Sequence, residues 1–168
     1  MTALYWVLLF IVAQRLVELF LARRNTARLI ADGGVEHGAR HYPIIVALHT
    51  GWIGCLFFFI PSEQAAQIGL IIAFFLLQLG RIWVILSLGP RWTTRVIAVP
   101  GRPLVYRGPY RWVKHPNYII VALEILILPL AFGAWKVALL FSLLNAVILF
   151  HRVRVEDVAL AQTKHIQP

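Results

Sequence analysis

Apolar runs dominate the sequence and constrain its fold more than any other feature. Five such runs are separated by shorter polar or basic segments, and each approaches the length of about 20 residues that a helix needs to cross a bilayer. With 60% hydrophobic and only 14% charged residues, the chain departs from a soluble domain, in which about a quarter of the residues are charged. We therefore predict an all-α polytopic integral membrane protein with about five transmembrane helices. They lie at 3–22, 44–60, 65–88, 118–132 and 135–150.

The basic residues predict the orientation of these helices. The net charge of +9 is concentrated in three segments beside the apolar runs, a pattern typical of cytoplasmic loops and of contact with anionic lipids rather than of nucleic-acid binding. The N-terminus is thus predicted outside and the C-terminus in the cytoplasm. The basic residues concerned are Arg23, Arg24, Arg28 and Arg40, then Arg91, Arg95, Arg102, Arg107, Arg111 and Lys114, and in the tail Arg152, Arg154 and Lys164.

Two polar segments connect or follow the runs. The segment from Arg23 to Pro43 is predicted to form a short interfacial helix and a turn at its paired glycines, and 151–163 to form a tail helix. The single cysteine, Cys55, lies within a run and excludes a disulfide framework and a thiolate metal site. His49, alone in its run, is interpreted as structural rather than as a metal ligand.

The long loop at 89–117 is the strongest candidate for a site. It combines several cations with aromatic side chains, and Pro109 and Pro116 bias their preceding residues away from helix, which favours one irregular shape. The aromatic residues are consistent either with stacking on a flat heterocycle or with an aromatic belt at the membrane interface. For the tyrosines these two interpretations remain open.

The polar residues inside the runs include Arg15, Glu18, His49, Arg81 and Glu124. Arg15 and Glu18 are one helical turn apart and can form an ion pair. One hypothesis is that such residues stabilise the helices. The other is that they form a polar pocket with the basic loop, since charged residues within a membrane often mark function. In the tail, Arg152 and Glu156 are four residues apart on one helix face, consistent with an exposed pair or with binding of a polar ligand.

Several motifs together resemble the isoprenylcysteine carboxyl methyltransferase family. GPYRWVKHPNY in the loop, Glu124 shortly after it and RVRVED in the tail are similar to the family's C-terminal motifs. RLVELFLARRN, GGVEHGARHYP and LGPRWTTRVIAVPG resemble its small bacterial members, so that the similarity covers nearly the whole chain. The resemblance implies a single methyltransferase domain over 1–168 in the bacterial inner membrane, with its active site facing the cytoplasm.

The resemblance also implies the cofactor, S-adenosylmethionine, held between the loop at 89–117 and the tail helix. The absence of a G-x-G-x-x-G turn agrees with a family that lacks a Rossmann fold. The cofactor-binding residues implied by position are Tyr106, Gly108, Tyr110, His115, Pro116, Tyr118 and Glu156. Glu124 and Arg152 are the implied catalytic residues, and no metal is implied.

The acceptor is expected to be an oxygen of a lipid-like small molecule or of a prenylated substrate, surrounded by membrane lipids. A carboxylate acceptor needs no base, whereas an enolic or phenolic hydroxyl would use Glu124 or His115 as general base, and both possibilities remain open. The sequence departs from the family pattern at Lys114, Asp157 and Ile119, and the given sequence ends before the family's Phe-Gly and paired-tyrosine segment. Two alternatives remain: an NADPH-dependent membrane reductase, which shares the His-Pro-Asn-Tyr motif, and a non-catalytic membrane protein.

Overall fold

The fold is almost entirely helical. The structure is a computed structural model that describes residues 2–164, with side chains described as far as residue 161. The described part contains five helices: α1 (Ala3–Ala31), α2 (Tyr42–Phe59), α3 (Ile68–Leu88), α4 (Pro116–Ala131) and α5 (Trp135–Lys164). Two short strands, β1 (Val35–His37) and β2 (Val96–Ala98), and three 3-10 turns (Ala39–His41, Gly89–Arg91 and Gly108–Arg111) complete it.

The helices have the length and surface of membrane helices. Four of them, all except α4, are long and apolar enough to cross a bilayer, and α4 is a shorter apolar helix of 16 residues. Large apolar side chains such as Phe20, Phe58 and Val147 are more than 70% exposed, as expected where helices contact lipid rather than water. These features confirm the all-α polytopic membrane fold. The orientation of the termini stays a prediction.

Two helices extend beyond the apolar runs. Helix α1 continues without a break to Ala31, through the segment predicted to form a separate interfacial helix. Helix α5 likewise runs straight through the tail, so that the predicted tail helix at 151–163 is the final part of α5. In both cases no proline lies between the end of the run and the end of the helix. The polar faces of α1 and α5 thereby reach the long loop.

A small antiparallel sheet, which the sequence analysis did not predict, joins two connecting segments. In this sheet Val35 pairs with Ala98 and His37 pairs with Val96. The side chains of Val96 and Ala98 are buried, and they pack in a cluster with Ala159 of α5. The sheet therefore ties the segment after α1 and the loop after α3 to the end of α5.

All five helices contribute to the main apolar core. Leu4, Trp52, Phe74, Leu128 and Phe141, one from each helix, are buried together. The α3 and α4 helices are further joined at their ends, because the backbone N–H of Gln67 donates to the carbonyl oxygen of Ala131 at 2.8 Å.

A second interior feature is polar, and we call its four residues, Arg15, Glu18, Arg81 and Glu124, the intramembrane charge network. Arg81 of α3 donates to Glu18 of α1 and, at 3.2 Å, to Glu124 of α4. Arg15 donates to the same two carboxylates at 2.9 and 2.6 Å. Glu124, only 1% exposed, also accepts a bond from Gln78 at 3.0 Å. The two arginines neutralise the two carboxylates and join three helices.

Candidate functional site

Side chains of α1 hold the start of the long loop in place. Asn25, which is buried, donates its amide to the carbonyl oxygen of Trp92 at 2.7 Å, and the hydroxyls of Thr26 and Thr93 are 2.8 Å apart. The next residue but one, Arg95, binds both carboxylate oxygens of Glu36 at 2.8 and 2.9 Å. These bonds satisfy backbone and side-chain polar groups that would otherwise be unpaired in a connecting segment. The loop is therefore fixed at the point where it enters the site.

Gly108 fixes the middle of the loop, because no other residue fits there. Its φ of 59° lies in the left-handed region, and a Cβ at this position would collide with the side chain of Ser87. Arg107, beside it, donates to the carbonyl oxygen of Ser87. The loop can consequently lie close against the end of α3. This contact orients the 3-10 turn at Gly108–Arg111, which carries Tyr110, towards the interior.

The start of α4 presents the next residues. Pro116 occupies the first turn of the helix, where its missing N–H costs nothing, and is buried. His115 directly precedes the helix, and its imidazole stacks on the ring of Tyr118 with 5.4 Å between ring centroids and an interplanar angle of 12°. The His-Pro pair thus places the imidazole and the phenol side by side at one end of α4.

The end of α5 completes the arrangement. Arg152 and Glu156, on one face of α5, both contact the Tyr118 hydroxyl: it accepts a bond from Arg152 Nε at 2.8 Å and donates to the Glu156 carboxylate. Arg152 also donates to the backbone carbonyl oxygen of Thr94 at 2.6 Å. We call His115, Tyr118, Arg152 and Glu156 the tail cluster.

The electrostatics of the tail cluster centre on His115. Its Nδ1 lies 3.7 Å from the Glu156 carboxylate, and its Nε2 lies 3.2 Å from the carboxylate of Asp157. The interaction with Glu156, reinforced by Asp157, outweighs burial and raises the pKa of His115 above its ordinary value of 6.5. The two carboxylates therefore favour the protonated form of the His115 imidazole.

Two adjoining cavities open beside the tail cluster, one of about 550 Å³ and one of about 100 Å³. Tyr110, His115 and Glu156 line both of them. The wall of the large cavity is mostly apolar, with cations and Asp157 among its polar members. Besides Tyr110, His115 and Glu156, the polar members are Arg91, Arg102, Tyr106, Lys114 and Asp157. Burial raises the pKa of Tyr110, assisted by the charge of Glu156, so its phenol keeps its proton.

The small cavity is more polar. Its lining includes Arg95, Arg152 and Glu156, together with Asn117 and Tyr118. The Oδ1 atom of Asn117 is buried and has no hydrogen-bond partner among the described residues. Buried acceptors in native proteins are nearly always paired, and this oxygen is one of four buried side-chain atoms without a partner among the described residues.

The structure brings together most of the residues that the sequence analysis selected. Tyr106, Tyr110, His115, Tyr118, Arg152 and Glu156 all line one or both cavities. Gly108 and Pro116 shape the backbone around them and do not line either cavity. Glu124 is separate, because its carboxylate belongs to the intramembrane charge network and lines neither cavity.

Some residues of the site were missed from the sequence. Thr94 contributes a backbone carbonyl to Arg152, and a carbonyl leaves no trace in the residue type. Arg95 was counted only for its charge, although it pairs with Glu36 and lines the small cavity. Asn117 was noted in the His-Pro-Asn-Tyr motif, and that motif was the available signal for it.

The architecture defines a class: a polytopic helical membrane protein with two cavities between one long loop and the end of the last helix. Residues 69–162 match the isoprenylcysteine carboxyl methyltransferase family. This range covers nearly all of α3, the long loop, α4 and the tail cluster. The chain belongs to this family, whose defining activity is methyl transfer. It is thus a membrane protein of methyltransferase type.

Two bacterial proteins are similar over almost their full lengths. The "Uncharacterized protein YpbQ" of Bacillus subtilis is 38% identical over 95% of this chain and 98% of its own length. An "Uncharacterized protein" of Haemophilus influenzae is 26% identical over 90% of this chain and 91% of its own. No solved structure gives a significant match.

Proposed function

We propose that the protein is an S-adenosylmethionine-dependent O-methyltransferase that acts on a lipophilic acceptor at the cytoplasmic face of a bacterial inner membrane. The observation that carries the proposal is the tail cluster at the wall of two adjoining cavities in a chain of this family. The bacterial relatives and the basic residues of the loop support the location.

The residues fit the proposed cofactor in size and chemistry. The large cavity lies within the range of roughly 300–1,000 Å³ typical of ligand sites and has an apolar wall with aromatic members, as a nucleoside requires. Glu156 and Asp157 supply negative charge, and the ring of Tyr110 supplies a π face, both of which favour a cation. When bound, S-adenosylmethionine supplies a methyl group on a positively charged sulfur.

Three residues of the tail cluster act as one unit in this proposal. Because the Tyr118 hydroxyl accepts from Arg152 and donates to one oxygen of Glu156, while the other oxygen faces His115, the orientation of all three groups is fixed. Arg152 is itself held by the Thr94 carbonyl, which leaves its remaining N–H groups to face a ligand carboxylate or the acceptor oxygen. Such pre-organisation lowers the entropic cost of aligning two reactants.

We assign activation of the methyl-accepting oxygen to its alignment with the methyl group and to the removal of water from around it. The two carboxylates beside His115 favour its protonated form, and Tyr110 keeps its phenolic proton. A carboxylate acceptor would need no base, whereas a hydroxyl acceptor would have Glu156 or Asp157 as the nearest carboxylates. Glu124, bound by two arginines and a glutamine inside the membrane, is assigned to the scaffold and not to the reaction.

A labelled-methyl assay tests this function and distinguishes the acceptors. Purified protein with methyl-labelled S-adenosylmethionine and a bacterial lipid extract should transfer label into the organic phase, and the Glu156→Gln variant should not. Mild base releases labelled methanol from a methyl ester but leaves a methyl ether intact. Label that stays in the aqueous phase with every lipid fraction would contradict the proposal.

A further inference from the structure

The segment between α1 and α2 reaches the tail cluster without lining a cavity. Its residues 33–43, with the sequence GGVEHGARHYP, form β1, a 3-10 turn and the first residues of α2, and they lie outside the range that matches the family. Glu36 and Tyr42 of this segment line neither of the two cavities. Both contact loop residues that lead to Arg152, so an effect of the segment on the site has to pass through those loop residues.

The direction of the Arg152 side chain depends on the position of Thr94. Arg152 is 7% exposed, and its Nε donates to the Tyr118 hydroxyl at 2.8 Å while a terminal nitrogen donates to the Thr94 carbonyl oxygen at 2.6 Å. The guanidinium is planar and holds its donors in a fixed fork. A shift of the Thr94 carbonyl would therefore turn the whole group, including the N–H groups that face a ligand.

Tyr42, the first residue of α2, contacts two successive residues of the loop. Its hydroxyl lies 3.2 Å from the Thr94 hydroxyl, and the guanidinium carbon of Arg95 lies 4.7 Å from the centroid of its ring. Arg95 is also bound by both carboxylate oxygens of Glu36, at 2.8 and 2.9 Å. A hydrogen bond and a cation–π contact from one side chain thus hold residues 94 and 95 together.

The position of Tyr42 is itself fixed relative to the end of α5. The ring of His41 packs edge-on against that of His151, the residue before Arg152, with 5.2 Å between the ring centroids. Further along α2, Trp52 is 1% exposed within the main apolar core. The start of α2 is therefore a fixed point from which the loop can be held.

We propose that Tyr42 is a positioning residue for Arg152, acting through the hydroxyl and the carbonyl of Thr94. The inference rests on the proposed function, in which Arg152 faces a ligand carboxylate or the acceptor oxygen. It adds α2, which lies outside the range that matches the family, to the elements that build the site. A displaced guanidinium lowers the rate of methyl transfer, because the reaction depends on the alignment of two reactants.

Two variants of Tyr42 test the proposal by the rate of label transfer from methyl-labelled S-adenosylmethionine to a bacterial lipid extract. The rate is measured well below the unfolding temperature and expressed per folded molecule. Tyr42→Phe keeps the ring over Arg95 but loses the hydroxyl, and should lower the rate about threefold, the cost of one hydrogen bond. Tyr42→Leu loses both contacts and should lower the rate about tenfold.

A matched substitution separates positioning from stability. Tyr5 of α1 lines neither cavity, and its ring centroid lies 5.7 Å from that of Phe57. Tyr5→Leu should lower the unfolding temperature, as Tyr42→Leu does, but should keep the wild-type rate per folded molecule.

A double variant tests the route through Thr94. Thr94→Val removes the hydroxyl that faces Tyr42 but keeps the carbonyl that binds Arg152. Because Tyr42→Phe and Thr94→Val remove the same hydrogen bond, the double variant should lose no more rate than the more affected single variant. Additive losses would show that the two hydroxyls act separately and would overturn the inference.

The remaining outcomes separate this inference from the function on which it rests. If Tyr42→Phe and Tyr42→Leu both transfer label at the wild-type rate per folded molecule, Tyr42 serves stability alone and the inference is wrong. If Tyr5→Leu loses as much rate as Tyr42→Leu, general destabilisation is the cause and the inference is again wrong. If the wild type transfers no label and binds no S-adenosylhomocysteine, the proposed function fails and the inference fails with it.

Discussion

The molecule contains two clusters in which arginine and glutamate take part, and they differ in whether they border a cavity. In the intramembrane charge network, two arginines and two glutamates bind one another and line neither of the cavities described. In the tail cluster, Arg152, Tyr118 and Glu156 also bind one another, yet each lines one or both cavities. The first cluster is enclosed by its own partners, whereas the second is open to a cavity.

This difference shows why a buried charge is a weak indicator of function. Placing charges within a membrane is costly, and mutual pairing is one way to offset that cost. The charge of Glu124 is offset in this way, because Arg15, Arg81 and Gln78 all donate hydrogen bonds to its carboxylate. Glu156 keeps access to a cavity, so the same residue type supports a binding role at the end of α5.

The largest expected effect comes from breaking the intramembrane charge network. Arg81→Met leaves two buried carboxylates with a single arginine and should destabilise the protein by about 3–5 kcal/mol. The double variant Arg81→Met with Glu18→Leu restores charge balance and should be more stable than Arg81→Met alone. Thermal unfolding in detergent measures both variants.

The same variants test whether the two clusters are separate. Molecules that remain folded should bind S-adenosylhomocysteine as the wild type does, because the network lines neither cavity. Loss of affinity at unchanged stability would place the network in the site and refute the comparison.

A smaller effect is expected from the loop that supports the tail cluster. Gly108→Ala forces a left-handed φ on an L-residue, which costs about 1–2 kcal/mol, and adds a collision with Ser87. The matched control is Gly101→Ala, where φ is 72° but a Cβ would meet nothing within 4 Å. Both variants should lose stability, but only Gly108→Ala should also lose affinity for S-adenosylhomocysteine.

Adding Ser87→Ala to Gly108→Ala checks the cause. Removal of the serine hydroxyl relieves part of the collision and should restore part of the affinity. No recovery, or an equal loss of affinity in Gly101→Ala, would show that the loop tolerates a side chain at this contact.

The smallest effect concerns pH and His115. Its folded-state pKa lies above the ordinary value of 6.5, so the protonated ring stabilises the fold fully below that value, and the contribution is lost as pH rises through the folded-state pKa. The unfolding temperature of the wild type should exceed that of His115→Gln most near pH 6, and the gap should narrow towards about pH 9. A gap that is constant or widens with pH would contradict the pairing with Glu156 and Asp157.

Much of the fold could be predicted because hydropathy is a local property. The apolar runs were long enough to indicate each helix, although they could not show that α1 and α5 continue into polar segments. The strands were missed because each has only three residues, and its partner lies some sixty residues away. Short pairings of this kind depend on tertiary contacts rather than on intrinsic propensity.

The candidate site likewise has features that the sequence predicts and features that depend on contacts between distant segments. The Arg152–Glu156 spacing and the His-Pro-Asn-Tyr motif were visible in the sequence, as was the pairing of Arg15 with Glu18 one turn away. The bonds from Arg81 to Glu18 and Glu124, and from Arg152 to the Thr94 carbonyl, join separate segments and have no local signal. For that reason Glu124, which follows the motif shortly in the sequence, was expected in the site and lies outside its cavities.

The central claim is that the tail cluster, and not the intramembrane charge network, forms a binding site for S-adenosylmethionine. The most direct test is calorimetric titration of the detergent-purified protein with S-adenosylhomocysteine, with NADPH in parallel, for the wild type and Glu156→Gln. The account predicts binding of S-adenosylhomocysteine alone, weakened by about 30-fold or more in Glu156→Gln, since a hydrogen bond to a charged group contributes about 2 kcal/mol. Binding of NADPH alone, or unchanged binding by Glu156→Gln, would contradict it.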